Sequence, residues 1–383
     1  MKWVYDKIQG DKIIWVITIF LALISLPLIY VATDELALSF KGGNTSFFVI
    51  KHFFILLTSL VLIYYVHLIN HSYFSKLSMY LMYIAVPLLL FTMISGVEAN
   101  AATRWMRIPI VGLSFQTSDF AKLALTLYLA RALSKKQAIL GDFKQVMLHV
   151  FAPVLMVCAL TVKEDFSTTA LIFGTCIIIM FFGNVKISHI GIVLGGIVLV
   201  FVLVVLVKPD LFPRMDTWMS RLNSFSDVAD DQEGNYQSNL SKAAILDGGM
   251  FGTMLNGGKY PAPPQAASDF MFSTLIKNFG MVGGFVTLLM YLLFLFRSIK
   301  VAVKAPKLFS SLLVIGLAFS ISFQAFSNMA VAVGLFPVTG QALPMISMGG
   351  TSIWFTALSI GIILSVSRDV VKKSEKEKLE KNT

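Results

Sequence analysis

Ten apolar runs divide this chain from end to end and constrain its fold more than any other feature. A helix needs about 20 apolar residues to cross the hydrocarbon core of a bilayer, which is about 30 Å thick. The runs are continuous rather than alternating, which favours membrane helices over the strands of a β-barrel. They cover residues 13–33, 48–69, 77–97, 112–133, 146–162, 166–184, 187–207, 270–296, 308–328 and 352–367.

The composition agrees with a location in the membrane. Hydrophobic residues make up 56% of the 383 residues and charged residues only 14%, whereas about 25% of residues are charged in an ordinary globular domain. We therefore predict an all-α polytopic membrane protein with ten transmembrane helices, forming a single domain over residues 1–383. No small-residue cleavage site follows the first run, so we expect a retained span and not a secretory signal.

The formal net charge of +10 is explained by topology. An even number of spans places both termini on one side, and that side holds nearly twice as many Lys and Arg residues as the other. By the positive-inside rule, the termini are cytoplasmic. The excess charge therefore does not indicate nucleic-acid binding, and residues 368–383 are predicted to be a cytoplasmic tail.

Two segments on the opposite, outer side are unusual. Residues 208–268, between the seventh and eighth runs, form a long polar loop in which we predict a short helix near residues 237–246; such long loops are uncommon in compact domains. Residues 329–351, between the ninth and tenth runs, are uncharged. They are too apolar for a solvated loop and too rich in Gly and Pro for a helix, so we predict a re-entrant segment packed among helices.

Ionisable side chains in or beside the apolar runs are candidate functional groups, because each is costly at membrane depth unless paired or hydrated. Asp119 and Lys122 are three residues apart and share a helical face. Either they neutralise each other, or Lys122 faces a hydrated cavity and meets an anion. Arg104, with Trp105 beside it and Arg107 after it, is either an interfacial anchor or part of a phosphate-binding pair.

Asp269 lies where the eighth run begins. As an N-cap it would accept hydrogen bonds from the first free amides of the helix. As a carboxylate at the outer membrane surface it could instead act as a base. Glu164 and Asp165 begin the sixth run in a similar way, and helix capping explains that pair adequately.

Several short motifs resemble one known family, in the family's order, between residues 102 and 352. Residues 102–123 resemble the "RW…G…FQPSEFAKL" signature of SEDS proteins (shape, elongation, division and sporulation), and residues 163–168 resemble "QPDFGT". Residues 268–272 resemble "TDFIF", and residues 328–352 resemble "N…GLLPVTGLPLPFVSYGGSS". These motifs resemble the division-type branch, FtsW, of Bacteroidetes-like bacteria more than the elongation-type branch, RodA.

This resemblance implies a peptidoglycan glycosyltransferase that polymerises lipid II at the outer face of the cytoplasmic membrane, during septal wall synthesis. It implies a class B penicillin-binding protein as transpeptidase partner, with other division proteins. The family's presumed catalytic aspartate corresponds to Asp269, and its acid–lysine pair to Asp119 and Lys122. The expected site consists of catalytic Asp269 and six substrate-binding residues: Arg104, Trp105, Asp119, Lys122, Gln237 and Ser352.

Two departures from the family pattern bear on a metal. Pro264-Gln265 stands where the family often has Pro-Glu, and Lys277-Asn278 stands where an acidic pair is usual. A divalent cation, Mg²⁺ or Mn²⁺, could share the charge of a pyrophosphate. The sequence offers no complete set of oxygen ligands for it, and the five histidines have no ligand-like spacing.

Two other function classes stay open. A lipid II flippase or transporter would also place polar groups in a bundle of ten helices, and a non-catalytic scaffold of a wall-synthesis complex would need no active site. The charged residues cluster at the outer surface instead of the midplane, which favours the enzyme. Formation of glycan strands from lipid II separates the three.

Overall fold

The protein is helical apart from one small sheet, in the part of the chain that the computed structural model describes. That part comprises residues 9–33, 44–95, 97–99, 102–107, 114–162, 165–207, 233–254, 259–260, 263 and 265–381. The helices are α1 (Lys12–Ala32), α2 (Thr45–Leu68), α3 (His71–Ser95), α4 (Thr117–Lys135), α5 (Phe143–Val162), α6 (Phe166–Phe182), α7 (Ile187–Val207), α8 (Glu233–Gly248), α9 (Met271–Val303), α10 (Leu308–Ala332) and α11 (Thr351–Lys381). Strands β1 (Val97–Ala99), β2 (Ala102–Arg107) and β3 (Ser114–Gln116) form an antiparallel sheet in that order.

Within these ranges, eight helices are long and apolar enough to cross a membrane: α1, α2, α3, α5, α7, α9, α10 and α11. The predicted polytopic membrane architecture is therefore confirmed. The fourth and sixth predicted spans form helices α4 and α6. However, α4 carries charged side chains along its length and α6 has only 17 residues. The number of ten transmembrane helices stays a prediction.

The predicted bounds are wrong at the start of the fourth span. We expected a helix from residue 112, but residues 114–116 form β3 and α4 begins only at Thr117. In β3, Phe115 pairs with Met106 and Ser114 with Arg107 of β2. Pairing between strands satisfies backbone groups that a helix would otherwise have bonded internally, so residues 114–116 belong to the sheet and not to the helix.

Two further bounds shift near the C-terminus. Helix α10 continues to Ala332, so the first four residues of the predicted re-entrant segment are helical, and the non-helical segment is 333–350. Helix α11 continues through the predicted tail to Lys381. The long outer loop contains α8, which confirms the predicted short helix and extends it at both ends; residues 208–232 of that loop lie outside the described residues.

By its internal contacts the chain divides into two compact units. The first unit comprises Met1–Leu68, Ser220–Lys300 and Ile321–Thr383, and the second comprises Ile69–Met219 and Val301–Ser320. Asp269, Gln237 and Ser352 belong to the first unit. Arg104, Trp105, Asp119 and Lys122 belong to the second. The single domain over residues 1–383 stays a prediction.

In the second unit, helix α5 contains a proline, and a side chain of α4 donates a hydrogen bond to the carbonyl that the proline leaves without its helical partner. Residues Met147–Phe151 form a π-helical turn just before Pro153. Proline has no N–H, so the carbonyl of His149, four residues earlier, loses its helical donor. The Tyr128 hydroxyl donates to His149 O at 3.2 Å. This hydrogen bond repairs the freed carbonyl and joins α5 to α4.

In the first unit, charged side chains join helix ends at the predicted cytoplasmic side. Asp11 caps α1 by accepting from Ile13 N at 2.9 Å, and it accepts from the Arg297 guanidinium of α9 at 2.5 Å and 2.9 Å. Arg368 of α11 donates to the last carbonyls of α2, with Nη1 at 3.0 Å from His67 O. These buried contacts satisfy groups that helix termini leave unbonded.

Candidate functional site

Asp269 lies in a turn immediately before α9. Residues 265–270 form consecutive turns in which Ser268 N, Asp269 N and Phe270 N all donate to Gln265 O, at 3.1 to 3.2 Å. Helix α9 begins at Met271. Asp269 is therefore two residues before the helix, whereas the sequence places it where the eighth apolar run begins. The residue is half-buried. We call residues 265–270 the Asp269 turn.

The Asp269 turn is hydrogen-bonded to the end of α10 and to the 333–350 segment. Asn328 Nδ2 donates to both Asp269 O, at 2.8 Å, and Gln341 O, at 2.7 Å. Asn328 has no exposed surface. One amide group thus joins the main chain of the candidate catalytic residue to the 333–350 segment.

Two further hydrogen bonds fix the same turn one and two residues earlier. Ser347 Oγ donates to Ser268 O at 2.7 Å and accepts from Leu343 N at 2.8 Å. Met348 N donates to Ala267 O at 2.8 Å. The main chain of the Asp269 turn is therefore bonded at three consecutive carbonyls, which restricts where the carboxylate can point.

Gln237 and Ser352 lie on elements that adjoin the 333–350 segment. Gln237 is half-buried on α8, one helical turn before the buried Ser241, whose Oγ donates to Ala332 O at 2.9 Å. Residues four apart share a helical face, so Gln237 is on the side of α8 that meets the end of α10. Ser352 is half-buried, and its N–H donates to Gly349 O at 3.0 Å.

Asp119 and Lys122 form the predicted ion pair in the first turn of α4. Lys122 Nζ lies 3.3 Å from Asp119 Oδ1, and the side chains are 15% and 6% exposed. Asp119 Oδ2 is buried and accepts no hydrogen bond from the described residues. The pairing is confirmed, but the pair leaves one carboxylate oxygen unsatisfied, and a buried unsatisfied polar atom needs an explanation.

Arg104 and Trp105 lie on β2, and only the backbone is described there. Trp105 is opposite Gln116 in the sheet, and α4 starts at the next residue, Thr117. The structure therefore brings the backbone of the Arg104 strand next to the helix that carries Lys122. The direction of the Arg104 side chain lies outside the described residues.

Among the described residues, no group of three or more His, Cys, Asp or Glu side chains is arranged to hold a metal ion. The divalent cation stays a prediction. Lys277 stands at a position where the family usually has an acid. It donates to Tyr260 O at 2.6 Å and lies 4.0 Å from Asp247 Oδ2, so an ammonium group occupies this place.

Two buried amides of α10, Asn328 and Gln324, were not predicted from the sequence to be functional residues. Gln324 Nε2 donates to Ala342 O at 3.0 Å. A signal was present, because both are polar amides in the ninth apolar run, where such groups are costly unless bonded. Because they are uncharged, they are not among the ionisable residues that the sequence singles out as candidates.

The chain is similar in sequence to known proteins. Residues 12–372 match the family of cell cycle proteins that contains FtsW, RodA and SpoVE. Stage V sporulation protein E of Bacillus subtilis (strain 168) is 30% identical over 374 residues, covering 94% of this chain and 98% of that protein. The probable peptidoglycan glycosyltransferase FtsW of Geobacter sp. (strain M18) is 31% identical over 374 residues, with the same coverage of both chains.

Solved structures are similar over nearly the whole chain. One, described as "Structural coordination of polymerization and crosslinking by a peptidoglycan synthase complex", has a TM-score of 0.74 and 25% identity, covering 94% of this chain and 98% of that one. The rod shape determining protein RodA of Thermus thermophilus has a TM-score of 0.65 and 24% identity, covering 94% and 97%. The second likeness concerns the fold alone.

Proposed function

This chain belongs to the family of cell cycle proteins that includes FtsW, RodA and SpoVE, and on that basis we propose that it is a peptidoglycan glycosyltransferase. It polymerises lipid II into glycan strands at the outer face of the cytoplasmic membrane, in septal wall synthesis. Relatives named as probable peptidoglycan glycosyltransferases support the activity. The observation that carries the proposal is the half-buried Asp269, whose turn is fixed by hydrogen bonds from Asn328 of α10 and from Ser347 of the 333–350 segment.

Asp269 acts as the general base. It takes the proton from the acceptor sugar hydroxyl as that oxygen attacks the anomeric carbon, and the bond from that carbon to the lipid pyrophosphate breaks with inversion. A base contributes only when it is held within hydrogen-bonding reach of the proton. The bonds to the carbonyls of residues 267, 268 and 269 supply that positional restraint.

Arg104 and Lys122 bind the phosphates and stabilise the negative charge that develops on the leaving group. The ion pair with Asp119 orients the Lys122 ammonium, and Trp105, next to Arg104 in the sequence, contributes to substrate binding beside it. Gln237 and Ser352 contact the sugar and lipid portions of the substrate, because both lie on elements that border the 333–350 segment.

The proposed topology places both termini in the cytoplasm and Asp269 at the outer surface. The proposed partners are a class B penicillin-binding protein, which crosslinks the new strands, and other division proteins. The similarity to a structure described as a peptidoglycan synthase complex that coordinates polymerization and crosslinking supports this assembly.

The decisive experiment is polymerisation of lipid II by the purified full-length protein, alone and with its transpeptidase partner. Asp269→Asn keeps the shape of the side chain but removes the base, so we expect glycan strands to disappear. Asp142→Asn is the matched control: Asp142 lies between α4 and α5, where it accepts from Lys144 N at 2.9 Å, and it is not a proposed substrate-binding residue.

The result also separates the alternative functions. Glycan strands made by the unaltered protein exclude a flippase and a scaffold, because neither makes polymer. If Asp269→Asn polymerises as well as the unaltered protein at equal protein levels, Asp269 is not the base. If no protein makes strands even with the partner present, the glycosyltransferase proposal itself is wrong.

A further inference from the structure

A cluster of large apolar side chains projects from the outer loop between α8 and the Asp269 turn. Leu246, at the end of α8, and Met250, Phe251 and Met254, just after it, are between 63% and 79% exposed. We call these four residues the apolar cluster. An exposed group of large apolar side chains marks contact with a membrane or with another protein.

The loop of the apolar cluster is attached to α9 by its main chain. At Gly280, α9 is interrupted by a non-helical conformation with φ 70° and ψ −176°. Around this break, Met281 N donates to Gly249 O at 2.9 Å and Val282 N donates to Met250 O at 3.3 Å. A Cβ atom on Gly280 would lie 2.1 Å from Met250 O, so only glycine permits this approach.

The break in α9 lies near the predicted outer boundary of the hydrocarbon core. Arg297 marks the other end of the span, since it pairs with Asp11 at the predicted cytoplasmic side. About 20 helical residues cross the core, and counting back by that number from Arg297 reaches Lys277. The loop that is bonded to α9 at Gly280 therefore lies at the level where acyl chains begin.

The apolar cluster also continues a lipid-facing stripe. Past the break, exposed apolar side chains recur on α9 at three- and four-residue intervals, the spacing of one helical face. They are Val282, Phe285, Leu289, Leu292 and Phe296. Because Val282 N is bonded to Met250 O, the loop adjoins the outer end of this stripe.

Charged groups flank the apolar cluster but do not enter it. Residues 248–258 contain no charged side chain. Asp247 accepts from Lys259 N at 2.8 Å and faces Lys277. These charges tie the two ends of the loop together beside the start of α9, an arrangement typical of segments that bury an apolar face in the interface while charges stay among the headgroups.

We propose that the apolar cluster is immersed in the outer leaflet of the bilayer, so that phospholipid acyl chains are its binding partner. The depth of the break in α9, the continuity with the lipid-facing stripe and the uncharged loop sequence all favour lipid over a protein. Resting on the proposed function, this anchor sets the height of the Asp269 turn above the leaflet that carries a lipid-linked substrate.

The test measures the depth of single nitroxide labels on the full-length protein in phospholipid nanodiscs. The buried Cys158 and Cys176 are replaced by alanine, and one cysteine is introduced by Phe251→Cys or, as a second site, Met250→Cys. Power saturation compares collisions with oxygen, which concentrates in lipid, and with a water-soluble nickel chelate. Phe285→Cys on α9 is the lipid-exposed reference, and Asn239→Cys on the exposed side of α8 is the aqueous reference.

We expect the labels at 250 and 251 to match the label at 285, with an oxygen-to-nickel collision ratio several-fold above that at 239, both with and without the transpeptidase partner. A ratio equal to that at 239 overturns the proposal. So does protection from both reagents on adding the partner, which would make the cluster a protein-docking site. The readout needs no catalysis, so lipid II polymerisation by the unlabelled protein reports separately on the proposed function.

Discussion

The two acidic groups of the candidate site are held in different ways. Asp119 is held within one helical turn, by an ion pair with Lys122 three residues away. Asp269 is held by neutral hydrogen bonds to its main chain from Asn328, 59 residues away, and its turn from Ser347, 79 residues from Ser268. The first arrangement fixes a charge by another charge, and the second fixes the backbone that carries the carboxylate.

This difference suits the proposed tasks. A general base must be held within reach of the proton that it removes, and restraint of its main chain serves that purpose. A phosphate-binding ammonium, in contrast, benefits from a carboxylate that orients it, although burial of the pair carries a desolvation cost. We therefore predict different effects. Variants of the Asp119–Lys122 pair should mainly lose stability, and variants of the contacts to the Asp269 turn should mainly lose turnover.

The largest expected effect follows from breaking the ion pair. Lys122→Met leaves the Asp119 carboxylate buried without its cation, and removal of one partner from a buried pair costs about 3–5 kcal/mol. The double variant Asp119→Asn/Lys122→Met removes both charges and should recover most of the thermal stability in detergent. If the double variant is stable yet does not polymerise lipid II, Lys122 binds the substrate; if it polymerises normally, the pair is structural only.

The next effect concerns turnover rather than stability. Asn328→Leu keeps the branched shape of the side chain but removes the donor to Asp269 O and Gln341 O. Displacement of a catalytic group by about 1 Å costs about 100-fold in rate. We expect kcat for lipid II polymerisation to fall by that order while KM changes little. Gln324→Leu is the matched control, because it removes a similar bond from α10 to the 333–350 segment without touching the Asp269 turn.

Equal losses of kcat in the two variants would contradict the positioning of Asp269 by Asn328. They would show instead that the 333–350 segment needs both amides simply to fold. Thermal unfolding of both variants provides the necessary comparison. Asn328→Leu loses two hydrogen bonds and Gln324→Leu loses one, and each carbonyl left unpaired should cost about 1–3 kcal/mol.

The sequence was sufficient wherever the relevant contact is local. Asp119 and Lys122 pair as their spacing predicts. Asp165 caps α6 as predicted, accepting from Thr168 N at 3.1 Å and from the Thr168 hydroxyl at 2.5 Å. Apolar runs located the starts of eight of the ten helices to within three residues, because burial in lipid requires each span to satisfy its own backbone.

The sequence was insufficient wherever distant segments meet. The turn that carries Asp269 is closed on Gln265 O, and it depends on contacts from residues 328–348 that no local pattern encodes. The break in α9 is similar. Gly280 alone gives no indication of interruption, since membrane helices tolerate glycine, and its partner is a loop 30 residues earlier.

The smallest effect tests how α4, the helix of the ion pair, is seated. Tyr128→Phe removes the donor to His149 O and should cost about 1 kcal/mol, as expected for one buried hydrogen bond. Pro153→Ala restores an N–H that can bond the same carbonyl within α5. In the Pro153→Ala background, Tyr128→Phe should therefore be nearly neutral by thermal unfolding. An undiminished loss there would mean that Tyr128 stabilises α4 through its packing and not by repairing the carbonyl that the proline leaves free.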